Sequence, residues 1–527
     1  MVLKARIENG IVYSPYPSEP LPEMSIYQVV KQCLVQHGNR KALVWDDHDI
    51  TFEELLKTFQ RYAAGFQRHG VTKGEKVLVH LDNSAENIIA MFSIVFAGAV
   101  VVVSDPFLTN DDILRRIRES NATYILIRQS EANRFIDMLD MLDIKGRFTT
   151  GTAAGFVSVS EFKKLDENSY VEFPVENVKD EVAVLGYSSG TTGIPKAIEL
   201  THMSLMPSLP RPGLHNLYDD HDIAVFRVPI TSSAGYRSFL RTWIYGTTIV
   251  LLPRAASTTE IIDAITKYNA TVVLGNSTIM LELAKKIQKK HVRLDSVKKA
   301  FLGGTSATYE TMTQIEQSFD LAIIRSVYGT TETGEICAPP MGASNWYGIG
   351  FPSANVQIKI VDVETGDLLG PNEKGQALVK TPRAMKGYYG NPEATSKTIT
   401  SDGWVRTGDI LYYNEDGHFF FVERINQVFC CMGIRLAPSS IERVLLSHEG
   451  IAEAAVIGVP HPEYQEVATA FVVLKKPRSE ITEEEIKIFV AGQLRPHMHL
   501  YGGVKIVERI PKDSLGKVNK KELERLH

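Results

Sequence analysis

Apolar and polar positions alternate along this chain with two different periods. Between Ile50 and about Leu126, helical spacing runs through Phe52, Leu55, Leu56, Phe59, Tyr62 and Phe66. A strand pattern, Lys76 to Leu81, follows a turn at Gly74. The most apolar run, Ile88 to Val103, is divided by Gly98, which predicts a buried helix, Ala85 to Phe96, and a buried strand, Val100 to Val103. The alternation returns from Ile223 to Ile324, with strands expected near Val225, Ile249, Val272 and Ala300. Such a pattern predicts α/β layers built on largely parallel strands. Short strands dominate from Val356 to Val422, with turns at Asp362–Gly366, Gly370–Pro371 and Asp416–Gly417.

The last hundred or so residues read as a separate unit. Helices are expected at Ser439–Ser447, after Pro438, and at Glu483–Leu494, with strands at Ala452–Val459 and Glu466–Leu474. The expected fold is therefore α/β: a large N-terminal body of α/β layers with a small β-rich subdomain, then a small α+β C-terminal domain. The boundary is placed near Arg424–Gln427, giving domains 1–424 and 425–527.

Composition narrows the function. Fifty-seven basic and 62 acidic residues give a net charge of −5, which offers nucleic acid no basic surface. Cys33, Cys337, Cys430 and Cys431 form no framework of spaced pairs, so a reducing compartment is expected. The Ile88–Val103 run is too short for a membrane-spanning helix, and residues 1–13 carry no signal-peptide core. The final Glu-Arg-Leu-His is not a Ser-Lys-Leu address, so a cytoplasmic location is expected. None of the 14 histidines stands in a metal-binding spacing.

The chemistry is concentrated in residues 182–201, VAVLGYSSGTTGIPKAIELT. An apolar strand, Val182 to Leu185, runs into a Ser/Thr/Gly turn, and a second strand pattern begins at Ala197. Glycines let the backbone approach a ligand closely, and successive N–H groups and hydroxyls then face an anion. Lys196 adds a point charge suited to phosphates. No Gly-Lys-Ser/Thr follows the glycines, so this is not a Walker A loop, and a flexible linker is the plain alternative.

The turn resembles the phosphate-binding signature of the adenylate-forming superfamily, which includes acyl-CoA synthetases, 4-coumarate–CoA ligases, beetle luciferases and adenylation domains. The resemblance runs from about Ile50 to Lys521 through further motifs in the family's order: Gly303-Gly304-Thr305-Ser306, Tyr328-Gly329-Thr330-Thr331-Glu332, Gly403 to Asp409, and Pro511 to Lys517. It implies ATP, Mg²⁺ and CoA as cofactor and co-substrates, with a fatty or aryl acid as substrate. Ser188, Ser189, Gly190, Thr191, Thr192, Gly193 and Lys196 would hold the phosphates. Gly304, Thr305, Ser306, Tyr328, Gly329 and Thr330 would flank the adenine, and Thr331 the α-phosphate. Glu332 would hold Mg²⁺, and Asp409 and Arg424 would reach the ribose. Lys517 would be the adenylation lysine. The family's mobile C-terminal domain would turn about Asn426 and present Gly433, Ile434 and Arg435 to CoA.

Several positions depart from the family pattern. Ala197 replaces a usual glycine, which matters only if its φ is positive. The acid pocket reads Pro229-Ile230-Thr231-Ser232-Ser233-Ala234-Gly235-Tyr236, without the usual histidine. Ser232, Gly235, Tyr236 and Gly303 are the expected acid contacts, and Tyr236 and Arg237 are expected to narrow the tunnel. Asn426 stands where many relatives carry a charged residue, and Cys430 and Met432 stand where beetle luciferases carry lysines. The leading expectation is an acid–CoA ligase. A luciferase-like oxygenase, an amino-acid adenylation module and a nucleotide-binding pseudoenzyme remain the alternatives.

Overall fold

A computed structural model describes the chain except residues 1–2, 19, 140–141, 188–194, 208–217, 305–308, 320, 322, 341–347, 476–480 and 514–515. Contacts divide it into two compact units. The first comprises Met1–Arg6, Val12–Gln357 and Val379–Val405; the second comprises Ile7–Ile11, Ile358–Leu378 and Arg406–His527.

Two large sheets organise the first unit. Eight strands run in the order Gly387–Tyr388, Ala197–Thr201, Val182–Tyr187, Val100–Ser104, Lys76–His80, Tyr124–Arg128, Gly146–Thr150 and Val157–Ser158. Nine run in the order Phe351–Pro352, Gly334–Ala338, Ile323–Thr330, Lys299–Gly303, Val272–Gly275, Ile223–Phe226, Thr248–Leu251, Lys41–Trp45 and His48–Thr51. The middles of both sheets are parallel; antiparallel pairs close both ends of the nine-stranded sheet but only one end of the eight-stranded sheet, whose Gly146–Thr150 and Val157–Ser158 end stays parallel.

Period-two alternation explains the layering. Val77, Val79, Val101 and Val103 share one core with Phe226, Ile249 and Leu251 of the other sheet. Three helices, Phe52–Arg68, Ala85–Phe96 and Ser233–Tyr245, fill that core, with Trp243 against Phe59 and Phe92 at 5.2 and 4.8 Å. Leu78, Val100 and Val102 point the other way, onto helices Asn110–Ser120 and Ala132–Leu139. The second sheet's outer face meets Thr258–Tyr268 and Ser277–Lys290. No described helix is long and apolar enough to cross a membrane.

The second unit holds a six-stranded sheet, ordered Arg6–Glu8, Ile11–Tyr13, Gln357–Val361, Gly375–Lys380, Val405–Tyr413 and Phe419–Arg424. A short 3₁₀ turn, Ile425–Gln427, leads to a five-stranded sheet centred on Ile451–His461 and Gln465–Leu474. Helices Pro438–Ser447 and Glu483–Ala491 bury Ile441, Leu445, Ile486 and Val490 in its core. The contacts thus group the six-stranded sheet with the terminal residues, and an N-terminal hairpin completes it.

Candidate active site

Strands Val182–Tyr187 and Ala197–Thr201 are antiparallel, and Tyr187 pairs with Ala197. That pairing fixes the two strands whose sequence flanks the hydroxyl-rich turn. Its Ser188, Ser189, Gly190, Thr191, Thr192 and Gly193 lie outside the described residues, as do Thr305 and Ser306. Ala197 is extended, buried and absent from the positive-φ positions, so the missing glycine costs the backbone nothing there.

Lys196 is held by an aromatic ring. Its Nζ lies 5.1 Å from the ring centroid of Tyr388. Strand Gly387–Tyr388 pairs with Ala197–Thr201, setting Tyr388 opposite Ile198. The Tyr388 hydroxyl donates to Glu332 Oε1 at 3.2 Å. Burial, and then the Glu332 carboxylate, push the Tyr388 phenol well above its ordinary range, so it remains a donor. Lys196, Tyr388 and Glu332 thus form a chain reaching from the turn to the next motif. Tyr388 was not among the site residues the sequence pointed to; no motif or spacing marks it for the site.

Glu332 sits in the turn joining strands Ile323–Thr330 and Gly334–Ala338. Its carbonyl accepts from Met385 N at 2.6 Å, and Thr330 and Thr333 exchange a hydroxyl hydrogen bond of 2.9 Å. Tyr328 pairs with Cys337 and Gly329 with Glu335. A Cβ on Gly329 would stand 2.3 Å from Gly334 O, so only glycine fits. The Thr331 methyl and the Tyr236 hydroxyl both approach Gly186, lying 3.5 and 3.0 Å from where its Cβ would be. Gly303 ends its strand, and Gly304 follows at φ +79°.

The expected acid contacts begin a helix. Ser232 caps Ser233–Tyr245, accepting from Gly235 N at 3.0 Å and donating to Pro229 O at 2.7 Å. A Cβ on Gly235 would lie 1.9 Å from Pro229 O. Tyr236 is fully buried and, with Met91, Phe92, Leu205 and Leu240, borders a small apolar cavity.

The other expected residues belong to the second unit. Asp409 and Arg424 are cross-strand partners whose Oδ1 and Nε lie 3.0 Å apart, with Asp409 fully buried. Asn426 is exposed in the Ile425–Gln427 turn. Met432 and Gly433, at φ 52° and 75°, form a hairpin turn with both φ values positive between Phe429–Cys431 and Ile434–Leu436. Gly433 N donates to Gln465 Oε1 at 3.1 Å, Ile434 is exposed, and Arg435 pairs through its backbone with Cys430. Lys517 lies in a tight hairpin: its N–H donates to Asp513 Oδ1 at 2.9 Å, and its carbonyl accepts from Asp513 N at 2.7 Å. Gly516, at φ +82°, makes that reversal possible.

The family model described as AMP-binding enzyme matches residues 30–389. The chain belongs to the adenylate-forming, AMP-binding enzyme family. A second model, the AMP-binding enzyme C-terminal domain, matches residues 440–517 of this AMP-binding enzyme. A 4-coumarate–CoA ligase of Vanilla planifolia is 31% identical to it over 495 residues, covering 90% of this chain and 88% of that one. A peroxisomal OPC-8:0-CoA ligase of Arabidopsis thaliana is 31% identical over 536 residues, covering 98% and 96%. Among solved structures, ATP-bound MatB from Rhodopseudomonas palustris has a TM-score of 0.85 at 23% identity, over 95% of this chain and 99% of that one. The expected superfamily and mixed α/β fold are borne out.

Proposed function

We propose that this AMP-binding enzyme joins a carboxylic acid to ATP as an acyl-adenylate and passes the acyl group to CoA. The observation that carries the reading is the Lys196–Tyr388–Glu332 chain at the root of the hydroxyl-rich turn. A carboxylate resists nucleophiles because of its own charge, and adenylation gives its carbonyl a leaving group. The acid oxygen attacks the α-phosphorus in line, and pyrophosphate leaves. Charge develops on phosphate oxygens, so fixed cations and donors do most of the work. Lys196 and the turn N–H groups are suited to the phosphates, Thr331 to the α-phosphate, and Asp409 and Arg424 to the ribose.

Among the described residues, no group of three or more His, Cys, Asp or Glu side chains is placed to hold a metal by itself. A Mg²⁺ bound mainly by phosphates and water needs only one or two carboxylates, which Glu332, steadied by Tyr388, fits. Such an ion would neutralise phosphate charge. Lys517 in its hairpin is assigned to the adenylation step, and Gly433, Ile434 and Arg435 to the thiol step. Residues 425–527 turn about Asn426 between the two.

Acid-dependent pyrophosphate release across fatty and aryl acids, with and without CoA, tests this. The expected result is release with a subset of acids and thioester only when CoA is present. Release without any CoA-dependent thioester would retain adenylation and reject the ligase.

A further inference from the structure

Helix Ser233–Tyr245 presents Ser233, Arg237 and Arg241 one turn apart on a single face. That face lies along the hairpin turn 331–335. Arg237 Nη2 reaches Thr331 O at 3.5 Å, and Arg241 Nη1 pairs with Glu335 Oε2 at 2.9 Å. Two further guanidinium groups, those of Arg325 and Arg383, act on the same Glu335 carboxylate. Arg325 Nε also donates to Pro339 O at 2.8 Å, and Arg383 Nη2 to Ala354 O at 2.7 Å. Glu335 also accepts from Ser353 Oγ at 2.8 Å.

Three cations therefore share one carboxylate, and Arg237 stands beside them as a fourth. Burial acts against Glu335's charge, yet Arg241, Arg383, Ser353 and Arg325 together hold its carboxyl near 2. Burial pulls Arg383 down to about 10. Arg237 has no carboxylate partner among the described residues. Its partners are Ser204 O at 2.6 Å, Ser233 Oγ at 3.3 Å and Thr331 O, and the groups acting on its charge are Tyr236 and Arg241. Arg241 and Glu335 keep 22% and 18% of their side-chain surface accessible. Arg237 is half-buried beside Tyr236, an expected acid contact.

A buried charge without a counter-charge is costly, and an incoming anion that supplies one binds favourably. A guanidinium fork matches a carboxylate in particular. We propose that the acid activated here carries a second, distal carboxylate, and that Arg237, with Arg241 behind it, receives that group. This rests on the adenylation reading above and specifies its substrate class.

Length-matched acids test it in the full chain: hexanoate against adipate, and cinnamate against 4-carboxycinnamate, compared by kcat/KM for pyrophosphate release. We expect each diacid to be preferred by at least about tenfold, as for a desolvated charge pair. Arg237→Met should collapse the ratio by raising the diacid KM, and Arg237→Lys should restore part of it. A Met variant that fails to fold leaves the test to Arg237→Lys, which keeps the charge but loses the fork, so the ratio must still fall. Equal use of mono- and diacids by the wild type, or a ratio that survives both substitutions, would overturn the proposal. Thermal stabilisation by adipate or 4-carboxycinnamate separates the two readings. Arg237-dependent stabilisation with no pyrophosphate from any acid sinks adenylation and keeps the anion site; neither signal sinks both.

Discussion

Tyr388→Phe isolates one hydrogen bond in the candidate active site. The substitution removes the hydroxyl that donates to Glu332 Oε1 at 3.2 Å and keeps the ring 5.1 Å from Lys196 Nζ. A hydrogen bond to a charged acceptor contributes ~1.5–3 kcal/mol, and this one is longer than the ~2.5–2.7 Å of a strong O–H···O⁻ contact. The low end, about 1.5 kcal/mol, corresponds to roughly a tenfold fall in kcat. Tyr388→Leu also removes the ring beneath the ammonium, a further ~0.5–1 kcal/mol, for a total loss of roughly 20- to 50-fold. The assay is acid-dependent pyrophosphate release at saturating ATP and acid, with thermal melts to show that both variants are folded. In a Glu332→Gln background, Tyr388→Phe should have little further effect, because the charged acceptor is already gone. Wild-type kcat in Tyr388→Phe, or full additivity with Glu332→Gln, would refute the assignment.

Two other outcomes follow, one from the role proposed for Lys517 and one from the surroundings of Glu335. Lys517→Ala should lower adenylation by roughly 10²–10³ while ATP binding stays measurable by calorimetry. Lys512→Ala is the control, because Lys512 is already paired with Glu453 at 2.7 Å, and a variant loss as large as that of Lys517→Ala would deny Lys517 its role. Glu335 sets an acid limb of stability: its folded carboxyl stands at about 2 against an ordinary 4.5. A depressed carboxyl stabilises fully above the unfolded value, and that contribution, on the order of 3 kcal/mol, is lost as pH falls from 4.5 towards 2. Urea midpoints followed through that window should drop steeply in the wild type, and Glu335→Gln should flatten the slope.

Much of the fold was legible because its signals are local. The helix Ala85–Phe96 and the strand at Val100 were expected from one apolar run split by Gly98, and Gly98 does take φ +87°. The strands near Val225, Ile249, Val272 and Ala300 announced themselves by short apolar runs between helical patterns. The N-terminal hairpin was not legible: strands of three residues, Arg6–Glu8 and Ile11–Tyr13, are too short to show a period. Motif spacing singled out Lys196, Thr331 and Glu332, but the place of Tyr388 beside Lys196 and Glu332 depends on pairing with a strand almost two hundred residues earlier. The arginine cluster was hidden for the same reason, since Arg237, Arg241, Arg325 and Arg383 meet only in three dimensions. Arg237 was expected only to narrow the acid tunnel, and Arg325 stands as a charge inside the strand Ile323–Thr330.

The second unit suggests how a swing about Asn426 can be inexpensive. Helix Pro438–Ser447 begins at Ala437, whose side chain cannot cap it. Glu423, buried on the neighbouring strand, accepts instead from Ser439 N at 3.1 Å, and Ser439 Oγ donates to Val422 O at 3.1 Å. A carboxylate at a helix N-terminus satisfies an orphan N–H and meets the positive end of the dipole. The tie between strand Phe419–Arg424 and the terminal domain is thus polar at this point, and water can replace both bonds when it opens. Breaking one charge-assisted and one neutral hydrogen bond costs about 2–4 kcal/mol net, within reach of motions on the microsecond-to-millisecond scale. An apolar seam there would resist opening more strongly; a borrowed helix cap is compatible with the proposed swing about Asn426.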